Sequence, residues 1–280
     1  MRHLIWREKL AIIPMRNTLN EIMENGEIKQ RKRPYLGYSG VGHKCHRHQW
    51  YSFRWCYDRS IPRRLSRIFN RGDIEEPRVI ADLDRVGCKV YGDQTEVIGI
   101  TGHAKGHIDG LVENVPTGGE KIHLLEIKTM KSAMYAKYMK IGLRKFSGTY
   151  WQQIHSYMGH LDLKRCLYVV VNKDTEERDF KRIKFEKPQF EEGERIALGI
   201  ITSPNPPNRI MGARKTFFEC KMCDSKDICF GDKELSKSCR ICEFSSIEDE
   251  GIWSCDKSGA QLNAEDQKKM CNDFKGEEYV

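Results

Sequence analysis

The residues best suited to chemistry lie close together between His107 and Lys128. They run Gly106-His107-Ile108-Asp109-Gly110-Leu111, pass through a short turn, and resume as His123-Leu124-Leu125-Glu126-Ile127-Lys128-Thr129. The apolar runs predict two short strands, over 108–113 and 122–129. Between them, Val115-Pro116-Thr117-Gly118-Gly119 has the composition of a hairpin loop. Alternate side chains of a strand share a face, so Glu126 and Lys128 point one way while Leu125 and Ile127 point into the core. A paired hairpin brings Asp109, at its open end, to Glu126 on the same face. Two carboxylates can gather a hard divalent cation through oxygen ligands. A neighbouring lysine can position, or help deprotonate, a metal-bound water. Glu-x-Lys also occurs on ordinary solvated strand faces, so the rest of the chain has to decide between the two readings.

The 280 residues suffice for one large domain, or for one domain and a small appendix. With 31% charged and 39% hydrophobic residues and a mean hydropathy of −0.64, the composition is that of a soluble globular chain. No apolar run approaches the ~20 residues that span a bilayer. The start, Met1-Arg2-His3-Leu4-Ile5-Trp6, lacks the apolar run and small-residue cleavage site of a secretory signal, so a cytoplasmic protein is expected, of a bacterium or a phage-infected host. The net charge of +8 and pI near 8.9 suit a polyanionic partner. Of the 11 cysteines, Cys220, Cys223, Cys229, Cys239, Cys242, Cys255 and Cys271 crowd the C-terminal end. In a chain without an export signal, Cys-x-x-Cys spacing points to metal ligation rather than to disulfides.

Several further segments carry recognisable spacing. Asp109, a spacer, and Glu126-x-Lys128 between apolar residues resembles the PD-(D/E)xK nuclease signature. Upstream, Leu65 to Leu83 has apolar residues at helical spacing around Arg71-Gly72-x3-Glu76. That pattern resembles the first motif of RecB-like and lambda-exonuclease-like nucleases, and the resemblance places Glu76, rather than Glu75, in the metal shell. An ordinary acidic helix face is the alternative. Further back, Ser39-x5-Cys45-x-Arg47-x3-Tyr51 resembles the helix that supplies the first cysteine ligand in iron–sulfur nucleases, namely the CRISPR-associated RecB-type exonucleases and the AddAB-type helicase–nucleases. Ser39 is a candidate cap for that helix. Downstream, Gln153-x3-Tyr157 places two side chains on one helix face and resembles the Gln-x3-Tyr motif of RecB-type nucleases. Gln152 lies one position out of register, and His155 reads as a packed or exposed helix residue rather than a base.

The connecting segments fit a mixed α/β order. Residues 87–100 read as the first strands of a meander, 165–172 as a buried strand, 180–186 as its partner and 188–202 as a closing helix, with Pro204-Asn205-Pro206-Pro207 marking the exit. The basic run Lys29-Gln30-Arg31-Lys32-Arg33 reads as a solvated linker that can also touch a nucleic-acid backbone. In 131–148, Lys137, Lys140, Arg144 and Lys145 alternate with Tyr135, Tyr138 and Phe146. This segment is either a DNA-facing wall or an amphipathic helix with snorkelling lysines.

Cys220-x2-Cys223-x5-Cys229 is one thiolate short of a tetrahedral set. By resemblance, the distant Cys45 completes it as the 4Fe–4S staple of the nucleases named above. Ligation by four thiolates also suits structural zinc, the alternative in its place. Cys239, Cys242, Cys255 and Cys271, in a polar stretch, resemble a small zinc module; these four could also exchange roles with the first triplet. Cys56, Cys88 and Cys166 read as buried apolar residues.

The resemblance spans roughly residues 39–229 and implies a restriction-endonuclease-like α/β core, a central mixed sheet flanked by helices, with a Cys-rich C-terminal metal-binding appendix. The expected parts are a basic segment over 1–36, a nuclease domain over 37–232 and a zinc module over 233–280. The expected activity is metal-dependent DNA exonuclease cleavage in recombination, repair or phage DNA processing, similar to that of phage recombination exonucleases. Mg2+ or Mn2+ is expected on Asp109, Glu126, the Ile127 carbonyl and Glu76, with Lys128 at the attacking water and Gln153 and Tyr157 orienting DNA or a carboxylate. A structure-specific endonuclease of the resolvase type and a non-catalytic nucleic-acid-binding metalloprotein remain alternatives. No phosphate loop of the Gly-x4-Gly-Lys-Ser/Thr type is present, so a helicase or strand-annealing partner is expected to be a separate chain.

Overall fold

The structure is a computed structural model that describes residues 15–119 and 121–276; the side chains of 15–18 and of Ile100 are not described. The first fourteen residues of the basic segment and the last four of the chain lie outside the described residues. In chain order the elements begin with α1 (Met15–Glu24), β1 (Glu27–Lys29), β2 (Leu36–Gly37), α2 (Tyr38–Val41), α3 (His46–Phe53), β3 (Ser60–Pro62) and α4 (Arg63–Arg85). They continue as β4 (Lys89–Tyr91), β5 (Glu96–Ile98), β6 (Ala104–His107), β7 (Gly110–Glu113), β8 (His123–Met130), α5 (Ser132–Ile141), α6 (Leu143–Phe146) and α7 (Gly148–His160). Next come β9 (Arg165–Asn172), β10 (Arg178–Lys184), α8 (Lys187–Thr202), α9 (Phe218–Lys221) and α10 (Lys226–Cys229). The chain closes with β11 (Ser245–Ile247), β12 (Trp253–Cys255), β13 (Ala260–Leu262) and α11 (Ala264–Lys268).

The main sheet is mixed, in the order β10-β9-β8-β7-β4. Within it only β8 and β9 pair in parallel, which requires the long crossover through α5, α6 and α7. These are also the two most buried strands, as expected of strands covered on both faces, although Glu126 and Lys128 interrupt the apolar run of β8. On one face Leu125, Ile127, Leu167, Val169 and Val171 pack against Val79 and Leu83 of α4. On the other, Leu124, Tyr168 and Val170 join Ile154, Tyr157 and Met158 of α7. The sheet therefore has helices on both sides, with its central strand carrying the Glu-x-Lys triplet. Among the described residues no helix is long and apolar enough to cross a membrane.

Two expectations need correction. The strands in 87–100 do not form one meander. β4 pairs with β7 in the main sheet, while β5 pairs with β6 in a separate three-stranded sheet, β2-β6-β5. Ser39 does not cap the helix of Cys45. It lies inside the four-residue α2, and Cys45 itself is the N-cap of α3, with no side-chain cap bond. The break between them falls at Gly42, where a Cβ would come 2.7 Å from the Thr149 Cα of α7. Only a glycine lets the chain pass that close.

The C-terminal segment shares the core of the rest. Ile241 and Trp253 belong to the same buried cluster as Trp50 and Phe53. Arg240, 1% exposed, donates to the carbonyls of Phe53 at 2.7 Å and Pro34 at 2.8 Å, and its guanidinium lies 3.8 Å from the Trp55 ring centroid. A buried guanidinium needs such acceptors and ring faces to offset its desolvation.

Candidate active site and thiol clusters

The register β7–β8 pairs Gly110 with Leu125, so Asp109, one residue before β7, stands opposite Glu126. Asp109 is 9% exposed, and its Oδ2 accepts a hydrogen bond from the Ile127 amide at 2.6 Å. That bond fixes the carboxylate at the mouth of the hairpin. Glu126 is wholly buried. Its Oε1 accepts from the Lys128 ammonium, while Oε2 is buried and meets no donor. The Lys128 Nζ also lies 5.4 Å from the centroid of the Tyr150 ring.

Glu76 approaches from α4 on the far side of this pair. Its neighbour Glu75 is fully buried and tied up with Arg78 at 3.0 Å and Arg178 at 3.8 Å. Glu76 is only half-buried, accepts from Gln94 at 3.4 Å, and interacts electrostatically with Asp109 and Lys128. The helix therefore turns one glutamate into a structural salt-bridge network and the next toward the acid pair. Pro77 sits just beyond, inside α4, where it removes one backbone donor.

Burial pushes all three acids upward, and repulsion adds to it at Glu76 and Glu126. The Glu76 carboxyl rises from 4.5 to about 7, chiefly through desolvation and then through Asp109. Desolvation, only partly offset by Lys128, also raises Asp109 and Glu126. Burial alone would lower Lys128, but Glu126 and Asp109 outweigh it and keep the ammonium charged. Three crowded, raised acids around one cation leave the ionised site two positive charges short. That deficit, together with the unpartnered Glu126 Oε2, is what a divalent cation would relieve, and the oxygen donor set suits Mg2+ or Mn2+.

α7 closes the site. Ser147 caps it by accepting from the Tyr150 amide at 3.2 Å. Gln153 donates to the Tyr157 hydroxyl at 3.4 Å, leaving that hydroxyl free to donate in turn. Burial and then Glu126 raise Tyr157, so it stays protonated. Its hydroxyl sits 2.3 Å from where a Cβ on Gly106 would stand, so the absence of a side chain there admits it beneath β6. Gln152 instead faces Ser156 and the Gln189 carbonyl, and His155 is buried against the Trp151 carbonyl at 2.8 Å. Tyr150 is a residue the sequence reading missed. Its position three before Gln153 and seven before Tyr157, one helix face repeated, was the available signal.

The eight cysteines outside the core fall into two groups. Cys45, Cys220, Cys223 and Cys229 line one cavity of about 290 Å³. Cys239, Cys242, Cys255 and Cys271 line another of about 470 Å³. Burial first, and then the other three thiols of its own group, raise both Cys45 and Cys239. Cys223 Sγ lies 3.2 Å from Ser225 Oγ and 3.5 Å from His48 Nδ1, a histidine that the sequence reading had not placed in this group. Among the described residues no three His, Cys, Asp or Glu side chains already stand as a set that could hold an ion. Closure around one would require rotation of thiols or carboxylates. Cys56, Cys88 and Cys166 are buried.

Lys137, Lys140, Arg144 and Lys145 are all exposed. Arg144 lies over the Trp151 ring at 5.3 Å and pairs with Glu186 at 3.4 Å. One ring of the expected stacking wall needs correction. Tyr138 is 1% exposed and donates to Asp179 at 2.6 Å, so its ring packs into the core instead of meeting a base.

No protein-family model and no curated protein matches the chain. Among solved structures, SSO0001 superposes with a TM-score of 0.45 at 17% identity, over 78% of this chain and 95% of that one. LHK-Exo, an alkaline exonuclease from Laribacter hongkongensis, superposes with a TM-score of 0.42 at 18% identity, over 60% of this chain and 87% of that one. Its complex with dAMP gives a TM-score of 0.43 with the same identity and coverage.

Proposed function

We propose that the protein is a metal-dependent deoxyribonuclease of the PD-(D/E)xK type that hydrolyses phosphodiester bonds as an exonuclease. The observation that supports this best is Asp109 held opposite the Glu126–Lys128 pair, with Glu76 completing the acid set. Asp109, Glu126 and the Ile127 carbonyl would hold Mg2+ or Mn2+, and Glu76 would serve as a further ligand. When bound, the ion supplies charge stabilisation to the scissile phosphate and its leaving oxygen. Lys128, kept charged by Glu126, orients the attacking water and steadies the hydroxide character it acquires. Tyr157 donates toward the phosphate, and Gln153 fixes the tyrosine's rotamer. The two thiol groups would hold structural metal: a 4Fe–4S cluster on Cys45, Cys220, Cys223 and Cys229, and zinc on Cys239, Cys242, Cys255 and Cys271.

End-labelled linear DNA incubated beside closed circular DNA, with and without Mn2+, tests the activity. Metal-dependent loss of the linear form alone is expected. Cutting of circles would make the enzyme an endonuclease, and binding without cutting of either would remove the catalytic reading.

The raised acids also set a pH dependence. A carboxyl raised in the folded state costs stability as pH climbs, because the unfolded chain ionises first and the folded one must follow against repulsion. Without divalent cation, the protein is expected to lose stability between pH 4.5 and about 7, the range over which Glu76 is shifted, and to level off above. A bound cation removes the repulsion. The gain in Tm on adding excess Mg2+ is therefore expected to be larger near pH 8 than near pH 6, measured by calorimetry. An equal gain at both would contradict the proposed acid set.

A further inference from the structure

Beside the acid set runs a groove of about 910 Å³ that the sequence reading did not identify. One wall is the first half of α4, which presents Arg64, Arg67 and Arg71; the other is formed where β8 and β9 end, at Lys131 and Lys173. The Lys173 amide donates to the Met130 carbonyl at 2.9 Å, which sets the two lysines at adjoining strand ends. Phe146 and Tyr150 line the same groove. Among the described residues that line it, Glu24 is the only acid.

Arg64, Arg67 and Arg71 follow one another at three- and four-residue steps, so they form a ridge along one face of α4. Two turns separate the first from the last, about 10 Å along the axis, and Glu76 lies a little over one turn further on. One turn beyond Arg71 the same face carries Glu75, which Arg71 meets at 4.0 Å, while Glu76 leaves the helix about 100° further round, toward the acids. The opposite wall is what leads to the acids: Thr129, Met130 and Lys131 continue the chain from Lys128, and the Tyr150 ring lies over the Lys128 ammonium. Three of the cations have exposed acidic neighbours: Arg67 pairs with Glu24, Arg71 with Glu176 at 3.3 Å and Lys173 with Asp174 at 3.5 Å. Surface pairs of this kind contribute little to stability, and a phosphate can take the place of the carboxylate.

We propose that this groove holds the sugar–phosphate backbone of a single nucleic-acid strand on its way to the Asp109–Glu126–Lys128 site, with bases resting on Tyr150 and Phe146. The inference rests on the nuclease reading above and names the form in which that site receives its substrate. Cations on both walls match a chain of phosphates. The half-buried rings of Phe146 and Tyr150, anchored against the core, each leave a face for an unpaired base, whereas a duplex keeps its bases stacked. Lys137, Lys140, Arg144 and Lys145 do not line the groove.

The test is fluorescence anisotropy of a labelled oligothymidylate, measured in EDTA so that nothing is cut, with a duplex of equal length beside it. Arg64→Ala/Lys131→Ala, one residue from each wall, is expected to weaken single-strand binding at least tenfold and to lower the slope of log K against log salt by about 1.4, two contacts' worth for a single strand. Tyr150→Ala is expected to weaken it about tenfold and Tyr150→Phe hardly at all. Lys137→Ala/Lys140→Ala is expected to bind as wild type does. Circular dichroism checks that each variant is folded. Wild-type affinity in Arg64→Ala/Lys131→Ala overturns the proposal, as does loss of binding confined to Lys137→Ala/Lys140→Ala. Equal affinity for duplex and single strand overturns the choice of a single strand. Hydrolysis of a small phosphodiester, bis(p-nitrophenyl) phosphate, with Mn2+ reports the acid set separately. Strand binding through the groove without that hydrolysis leaves the groove standing and removes the nuclease reading. Hydrolysis with unaltered binding in the variants does the reverse.

Discussion

Glu126→Gln is expected to lower metal-dependent DNA cleavage by on the order of 10³-fold or more, and to make the metal-free protein more stable. The two effects have one origin. Glu126 is wholly buried, shares one oxygen with Lys128 and leaves the other without a donor. Its carboxyl is raised by desolvation and by Asp109 in spite of the lysine beside it. Glutamine keeps the shape and removes the charge, so near pH 8 the folded state no longer carries the cost of that anion. Each tenfold weakening of the carboxyl's acidity on folding is worth about 1.4 kcal/mol, which for a chain of this size moves Tm by about 3–6 °C. The same charge is what a divalent cation needs, so cleavage falls while stability rises. Lys128→Ala should separate the two effects, because it loses cleavage and also leaves three acids without their cation, which lowers stability. Cleavage assays in Mn2+ and calorimetry in EDTA measure both. Glu126→Gln cutting within tenfold of wild type would remove Glu126 from the chemistry.

This opposition also shows what the chain made visible. The Glu126–Lys128 strand, the Gln153–Tyr157 spacing and the crowding of cysteines are local patterns, and local periodicity is carried by neighbouring residues. The choice of Glu76 over its neighbour came by resemblance, and the fold places Glu75 among arginines and Glu76 beside the acids. What stayed hidden depends on partners far away in the chain. β5 leaves the main sheet because β2 and β6 offer it an edge some residues away. Tyr138 looks like an exposed ring between lysines, yet Asp179 on β10 receives its hydroxyl in the core. Arg64, Arg67 and Arg71 gain a facing wall only from the ends of β8 and β9, far along the chain. In each case the helix or strand was legible and its neighbour was not.

Cys45→Ser is expected to lower Tm by about 10 °C or more and to release the metal held with Cys220, Cys223 and Cys229. Cys45 stands at the start of α3, whose Trp50, Tyr51 and Phe53 lie in the main core. The other three thiols come from the opposite end of the domain. A metal bridging them closes a loop of well over 100 residues, and a cross-link of that span restrains the unfolded chain by about 5 kcal/mol. About 2–4 °C accompany each kcal/mol at this size. Cys271→Ser offers the contrast. Its partners Cys239, Cys242 and Cys255 lie nearby in the chain, so the loops closed are short. The segment is also tied down independently, through Arg240 to the Phe53 and Pro34 carbonyls and through Trp253 in the shared core. The loss on Cys271→Ser is expected to be about half as large and to leave the main transition cooperative. Calorimetry together with metal analysis measures both variants. Broad absorbance near ~400 nm, lost in Cys45→Ser, would mark an iron–sulfur cluster; a colourless protein with stoichiometric zinc there would replace the cluster with zinc and leave the cross-link intact. A Tm unchanged in Cys45→Ser would mean that the two ends are held by packing alone.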